Sequence, residues 1–219
     1  MQTLTHEIKS PVSAIRGAAE LLEENMPPER RERFLANIRN EANRIQDIID
    51  RMLELSSLEN RKRLNSVENI NLNSVIKTVL ESKQPMLLKK NILIHLKSDG
   101  ELIVNGDSFL LSQAISNLLQ NAIDFSPSNS QIRISSENYN HMIIINITDE
   151  GPGIPDYALE KIFNKFFSLN RPETDKKSTG LGLNFVREVA ELHKGKVNIE
   201  NLPGGGVIAS FMIPEQKEK

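Results

Sequence analysis

The chain has 219 residues, 38% hydrophobic and 26% charged, with a net charge of −2. That length allows one large domain or two small ones, and the balance of charge gives no basic patch that would suit nucleic acid. With no cysteine, disulfides and thiolate metal sites are excluded; His6, His95, His141 and His193 are too scattered to form a metal motif by spacing. The longest apolar run, Met142 to Ile145, falls far short of the roughly 20 residues a membrane span needs. Residues 1–11 lack the apolar core of a signal peptide. The sequence starts abruptly inside a patterned segment, as the soluble part of something longer would.

From Leu4 to Leu22 apolar residues fall at 4, 8, 12, 15, 19 and 22, which is one face of a helix. "NMPPER" (25–30) breaks the pattern, since paired prolines stop one helix and can begin the next. A second stripe follows at Phe34, Ile38, Ala42, Ile45, Ile49, Met52 and Leu55. Two long helices joined by a short turn should lie antiparallel. Such a hairpin has an apolar face with nothing to cover it, and pairing with a second copy in a four-helix bundle would do so; packing on the rest of its own chain is the alternative. Within the first helix, "HEIKSP" sets Pro11 five residues after His6. Pro11 cannot donate to the carbonyl of Glu7, so a helix crossing it should bend and expose the His6 ring. The competing reading makes Ser10 an N-cap and Pro11 the first helical residue. The register Leu4, Ile8, Val12, Ile15 runs through the proline and favours the bent helix.

Polar residues at 56–69 mark a linker, which divides the chain into a hairpin over 1–60, a connector over 61–69 and a second domain over 70–219. Beyond it strands and helices alternate. "NINL" and "NILIHLK" read as strands flanking a helix over Leu72–Lys90. "ELIVNG" leads into a helix near Asp107–Phe125, and "SQIRISSE" with "HMIIINITD" reads as a strand pair. Helices are expected over Tyr157–Phe166 and Gly182–His193, before a closing strand pair, "GKVNIEN" and "GGVIASFMI". The fold class is α+β: a helical hairpin followed by a sheet covered by helices on one face.

In "NLLQNAIDFSP" (117–127), Asn117 and Asn121 stand one helical turn apart on one face. Their amide oxygens suit a hard cation beside phosphates, since magnesium takes only one or two protein ligands; a solvated polar face is the alternative. In "DEGPGIP" (149–155), Gly151 and Gly153 let the backbone approach a flat ligand closely. Asp149 there could accept from an exocyclic amine such as that of adenine, although Asp-Gly is also an ordinary turn pair. "STGLGLNF" (178–185) opens a helix, where backbone N–H groups favour a phosphate. The polar stretch 163–177 before it has the length of a lid. Lys165, Arg171, Lys176 and Lys177 could reach phosphates from it, or be surface charge.

These motifs, in this order and behind "THEIKSP", resemble the sensor histidine kinases of two-component signalling, in particular the CreC-type carbon-source sensors. "HEIKSP" resembles the phosphoacceptor box, "NLLQNAIDF" the N box, "DEGPGIP" and "TGLGL" the two glycine boxes, and "KIFNKFF" the F box. The resemblance implies a dimerisation and histidine-phosphotransfer bundle, then an ATP-binding α/β sandwich of the GHKL (Bergerat) type. It implies phosphorylation of His6 by ATP and transfer to an aspartate of a response-regulator receiver domain. Glu7 would polarise the ring, and Ser10 would position water for phosphatase activity. Asn117 and Asn121 would hold Mg2+ and phosphates, and Asp149 would read adenine in a pocket shaped by Gly151, Gly153 and Ile154. Thr179, Gly180, Leu181, Gly182 and Leu183 would contact phosphates and anchor the lid. A homodimer is implied, on the cytoplasmic side of an inner membrane that it reaches only through a segment absent from this chain. Two residues depart from the family pattern: Asp124 stands where a basic residue is usual, and Ser178 replaces a glycine. The rival readings are an ATPase of the same nucleotide fold and a scaffold with a degenerate pocket, the latter drawing on Asp124.

Overall fold

The computed structural model describes residues 2–98, 100–173 and 178–215, with side chains from Ile8 onward. The lid lysines Lys176 and Lys177 lie outside the described residues, as do the side chains of His6 and Glu7. Contacts divide the chain into two compact units, Met1–Ser57 and Leu58–Lys219.

The first unit is built on two helices, α1 (Gln2–Leu21) and α2, which begins at Pro28 and continues to Glu59. Pro28 occupies a helical start, where its missing N–H would have no partner in any case. Pro11 lies inside α1, which runs through it unbroken, so Ser10 is not an N-cap. Of the expected stripes, Leu55 is buried and most of the rest, such as Ile15, Phe34 and Met52, is half-buried. Pro11 and Ala18 are buried on α1 and Ile48 and Leu55 on α2, whereas Val12 and Ile49 are 48% and 40% exposed. Leu53 is 65% exposed as well. A helix turns 100° per residue, so a neighbouring apolar residue can take the inner position and leave the expected one outside.

The second unit opens with β1 (Glu68–Asn71), which pairs antiparallel with β3 (Ile103–Gly106). Between them run α3 (Leu72–Lys90) and β2 (Leu93–Ser98). Asn71 caps α3, its side chain accepting from the N–H of Asn73 at 3.0 Å. Then follow α4 (Ser108–Phe125), β4 (Gln131–Tyr139), β5 (Met142–Thr148), the single turn α5 (Asp156–Leu159), α6 (Gly182–Leu192), β6 (Lys196–Asn201) and β7 (Val207–Pro214). The main sheet has the order β2-β4-β5-β7-β6, with β2 and β4 parallel and the other neighbours antiparallel. Ile132 and Ile134, then Ile143, Ile145 and Ile147, then Phe211 and Ile213 are buried at every second position. That alternation gives the sheet one apolar face, and α4 and α6 pack against its strands while α3 packs on α4.

The expected helix over Tyr157–Phe166 is reduced to α5 and a series of turns. Each turn closes to the third residue back: Lys161 to Ala158, Asn164 to Lys161 and Phe167 to Asn164. Tertiary hydrogen bonds outweigh the helical pattern here. The carbonyl of Phe163 accepts from the Asn184 amide at 3.1 Å. Phe166 adopts a φ of 64° and donates its N–H to Gly180 at 2.9 Å. Among the described residues no helix is long and apolar enough to cross a membrane.

Candidate active site

Helix α4 forms one wall of the site. Leu110, Leu111, Ala114, Ile115, Leu118, Leu119, Ala122 and Ile123 are all buried, a broad apolar face. Asn117, Asn121 and Asp124, spaced four and three apart, share another side of the helix and are half-buried. The start of α4 is fixed by Asp107, whose carboxylate accepts from the N–H of Leu110 at 3.1 Å. The N–H of Asp107 in turn donates to His193 Nε2 at 3.0 Å, and His193 Nδ1 lies 2.7 Å from the carbonyl of Val189. These two contacts define a neutral ring, its Nδ1–H donating and its Nε2 accepting. Burial pushes the pKa of His193 down, which keeps it neutral. The end of α6 is thereby tied to the beginning of α4.

Asp149, at the end of β5, forms the floor. It is 7% exposed, and burial raises its pKa to about 6 against the opposing hydrogen bonds of the Gly151 and Val207 backbones. The N–H of Gly151 donates to its Oδ1 at 2.8 Å. A Cβ on Gly151 would lie 2.8 Å from both that oxygen and the carbonyl of Phe125, so only glycine fits. Next in the loop, Ile154 is held by Asn201, which accepts its N–H and donates to its carbonyl, both at 2.7 Å.

The opposite end is the glycine-rich entry to α6. Gly180, with a φ of 64°, passes so close to the Phe166–Phe167 backbone that a Cβ would stand 2.5 Å from a main-chain carbon. A Cβ on Gly182 would lie 3.4 Å from Asn117 Oδ1, which sets this helix start directly against the first N-box amide. Together these elements enclose a cleft lined by Asn121, Phe125, Asp149, Gly151, Gly153, Ile154, Ser168, Leu169, Ser178, Gly180, Gly182 and Leu183, with Ile147, Ile199 and Ala209 from the sheet. Thr179 is half-buried between lining residues, and Leu181 is buried in the core, where its carbonyl accepts from the N–H of Phe185 at 3.0 Å. Ser10 is exposed on α1.

Two residues in the same region, Asn184 and Asn201, were not named from the sequence, and a third, Arg171, was named only among several lid cations. Asn184 and Asn201 hold the site's loops through single side-chain amides, as described above. Arg171, one of several candidate lid cations, is placed by an ion pair of 2.7 Å with Asp124. Their partners are distant in sequence, so no local pattern marks them; the only cue was Asp124, an acid where the resemblance leads one to expect a base.

The arrangement has the parts a purine nucleotide requires: a buried acceptor, apolar walls and a helix start with free N–H groups. Its oxygen donors also suit Mg2+ carried in with phosphates. Asn117 and Asn121 supply two neutral amide oxygens, and no cluster of three or more His, Cys, Asp or Glu that could hold a metal by itself occurs among the described residues.

Comparison with known proteins agrees with this geometry. Residues 106–217 match the family described as histidine kinase-, DNA gyrase B-, and HSP90-like ATPase, and residues 1–61 match the His Kinase A (phospho-acceptor) domain. The sensor protein CreC of Escherichia coli (strain K12) is 42% identical over 96% of this chain and 44% of its own length. The sensor-like histidine kinase SenX3 of Mycolicibacterium smegmatis is 32% identical over 97% of this chain and 56% of its own. The chain thus spans about half the length of these curated relatives. Among solved structures, histidine kinase ThkA in complex with the response regulator protein TrrA matches with a TM-score of 0.78 and 30% identity, over 97% of this chain and 60% of that one. With a phospho-acceptor segment ahead of a nucleotide-binding sandwich, the chain belongs to the sensor histidine kinases.

Proposed function

We propose that this chain is the autokinase and phosphotransfer core of a two-component sensor, phosphorylating itself on His6 with ATP and passing the phosphoryl group to an aspartate of a response-regulator receiver domain. The observation that carries this reading is the cleft itself: a buried carboxylate at one end, the α6 start against Asn117 at the other, and phospho-acceptor sequence in the same chain.

In the reaction a ring nitrogen of neutral His6 attacks the γ-phosphorus. A P–N bond forms, the bond from that phosphorus to the bridging oxygen of ADP breaks, and the ring N–H proton passes to Glu7. Neutral imidazole is available near pH 7 because its ordinary pKa is about 6.5. Asp149 accepts from the adenine amine, while Gly151, Gly153 and Ile154 shape the purine pocket. Thr179, Gly180, Leu181, Gly182 and Leu183 form the phosphate-binding turn, the first through side chain and backbone and the buried Leu181 through backbone alone. Asn117 and Asn121 would hold magnesium, which when bound would neutralise charge on the phosphates. Ser10, one turn beyond His6, is the residue for positioning water in dephosphorylation of the regulator.

The functional unit is a homodimer formed through the hairpin, and the exposed Val12, Ile49 and Leu53 support this. Its place is the cytoplasm, where ATP and the regulator are found, with any membrane attachment made by a segment outside these residues. The scaffold reading drew on the carboxylate of Asp124 beside phosphates; its pairing with Arg171, which offsets that charge, supports the kinase reading.

Incubation with γ-labelled ATP and Mg2+ tests the proposal. Acid-labile, base-stable label should appear on the wild type, be absent from His6→Gln, and move to a cognate receiver domain when one is added. Free phosphate without labelled protein would mean an ATPase instead.

A further inference from the structure

The ion pair between Asp124 and Arg171 flanks the cleft, next to its lining residues Asn121, Phe125, Ser168 and Leu169. A Cβ on Gly182 would abut Asn117, and one on Gly151 would abut the carbonyl of Phe125, so α4 spans the cleft from the phosphate turn to the purine floor. The eight steps from Asn117 to Phe125 cover about 12 Å of helix. Asp124 shares the face of Asn117 and Asn121 and stands near the purine end of that span. It is held from its own helix by the Gln120 amide at 3.0 Å. Its partner Arg171 follows Ser168 and Leu169, which line the cavity. Its Nη2 meets Asp124 Oδ2 at 2.7 Å, with the two side chains only 30% and 14% exposed.

The chain just beyond Arg171 is anchored as well. Glu173 accepts from the N–H and hydroxyl of Ser128 at 2.9 and 2.8 Å and pairs with Lys90 at 3.2 Å. Lys90 also donates to the carbonyls of Ile123 and Ser126 at the end of α4. The guanidinium is held by Asp124 and its chain is anchored two residues on, yet its Nε is buried with no hydrogen-bond partner among the described residues. A buried donor left unpaired is unfavourable unless a ligand completes it. A lone carboxylate at Asp124 would repel phosphate, whereas a carboxylate paired with a guanidinium has its charge offset, and the guanidinium keeps further N–H donors for a phosphate.

The geometry assigns to Arg171 the binding of the phosphates nearest the ribose, with Asp124 as its positioning residue. This rests on the nucleotide reading above and adds to it a cation paired with α4.

The test is a binding series on the 219-residue chain with Mg·ADP, Mg·AMP-PNP and adenosine, the last followed by NMR because it lacks phosphate. Arg171→Ala should weaken both nucleotides about tenfold or more and leave adenosine unchanged, as loss of a charged hydrogen bond implies. Arg171→Lys should recover part of that loss. Asp124→Asn alone should weaken the nucleotides, but in the Arg171→Ala background it should strengthen them by removing a bare carboxylate. That reversal of sign is not expected of a pair that merely holds the fold together. The assignment is overturned if Arg171→Ala leaves nucleotide affinity intact, if it weakens adenosine equally, or if Asp124→Asn deepens its defect. Asp149→Asn separates the two readings. If it abolishes binding of all three ligands while Arg171→Ala has no effect, the nucleotide site stands and only this assignment falls. If the wild type binds no nucleotide, both fall.

Discussion

Asp149 is under two opposing demands. Burial makes its charge costly, yet an ionised carboxylate is the better acceptor for an exocyclic amine. With its pKa raised to about 6, it is mostly ionised at neutral pH and protonated a little below it. Adenosine affinity, free of any phosphate titration, should therefore hold steady above pH 7 and fall about tenfold by pH 5, read by chemical-shift titration. The stability effect has the opposite sign. The folded chain binds the Asp149 proton more tightly than the unfolded chain does, so this residue's contribution grows as pH falls through 6 and declines as pH rises. Asp149→Asn should accordingly raise stability at pH 8 by roughly 1–2 kcal/mol, shrink that advantage toward pH 5, and lose nucleotide binding; urea denaturation at the two pH values checks it. Asp149, Gly151 and the paired asparagines were legible in the sequence because each sits in a short motif whose chemistry is local. Asn184 and Asn201 were not, because an asparagine declares its role only through a partner many residues away.

The helices show the same division between local and distant causes. The second-domain helices α3 and α4 lie where their capping residues and apolar spacing place them, each starting after an Asn or Asp that caps it. The turns after α5 do not follow their helical pattern, since Asn184 and Gly180 claim backbone groups that a helix would need. His193 joins two elements in a way periodicity could not reveal. It satisfies the first N–H ahead of α4 and a carbonyl of α6, and its ring crowds Gly106 so closely that a Cβ there would be 2.7 Å away. His193→Ala should cost about 2–4 kcal/mol, combining a cavity with an orphaned N–H. Its pH signature is calculable in sign. The folded pKa is depressed, so the unfolded chain takes up a proton first as pH drops below 6.5, and wild-type stability is lost there. Denaturation at pH 8 and pH 5.5 should show a smaller acid loss in the variant.

For the whole molecule, the pattern announced a helical hairpin and a one-sided sheet, and both are present. What it could not show is which of two adjacent apolar residues the chain itself covers: Ile48 is inside and Ile49 outside, a choice that depends on how two helices nestle and not on hydrophobicity. Ile49 of the expected stripe and its neighbour Leu53 are both exposed and predict assembly. Ile49→Glu with Leu53→Glu should convert a dimer to a monomer in sedimentation velocity while leaving adenosine binding unaltered. One contact far from that surface bears on how such a protein can diversify. The N–H of Phe166 is bonded to the carbonyl of Gly180, which closes residues 167–179 into a loop with a fixed neck. Doubling the length of a loop of this kind adds only about 0.6 kcal/mol of closure entropy. Changes of length within that stretch are therefore cheap for the fold, provided that its anchored residues survive: Ser168 and Leu169 in the cleft lining, Arg171 on Asp124 and Glu173 on Ser128.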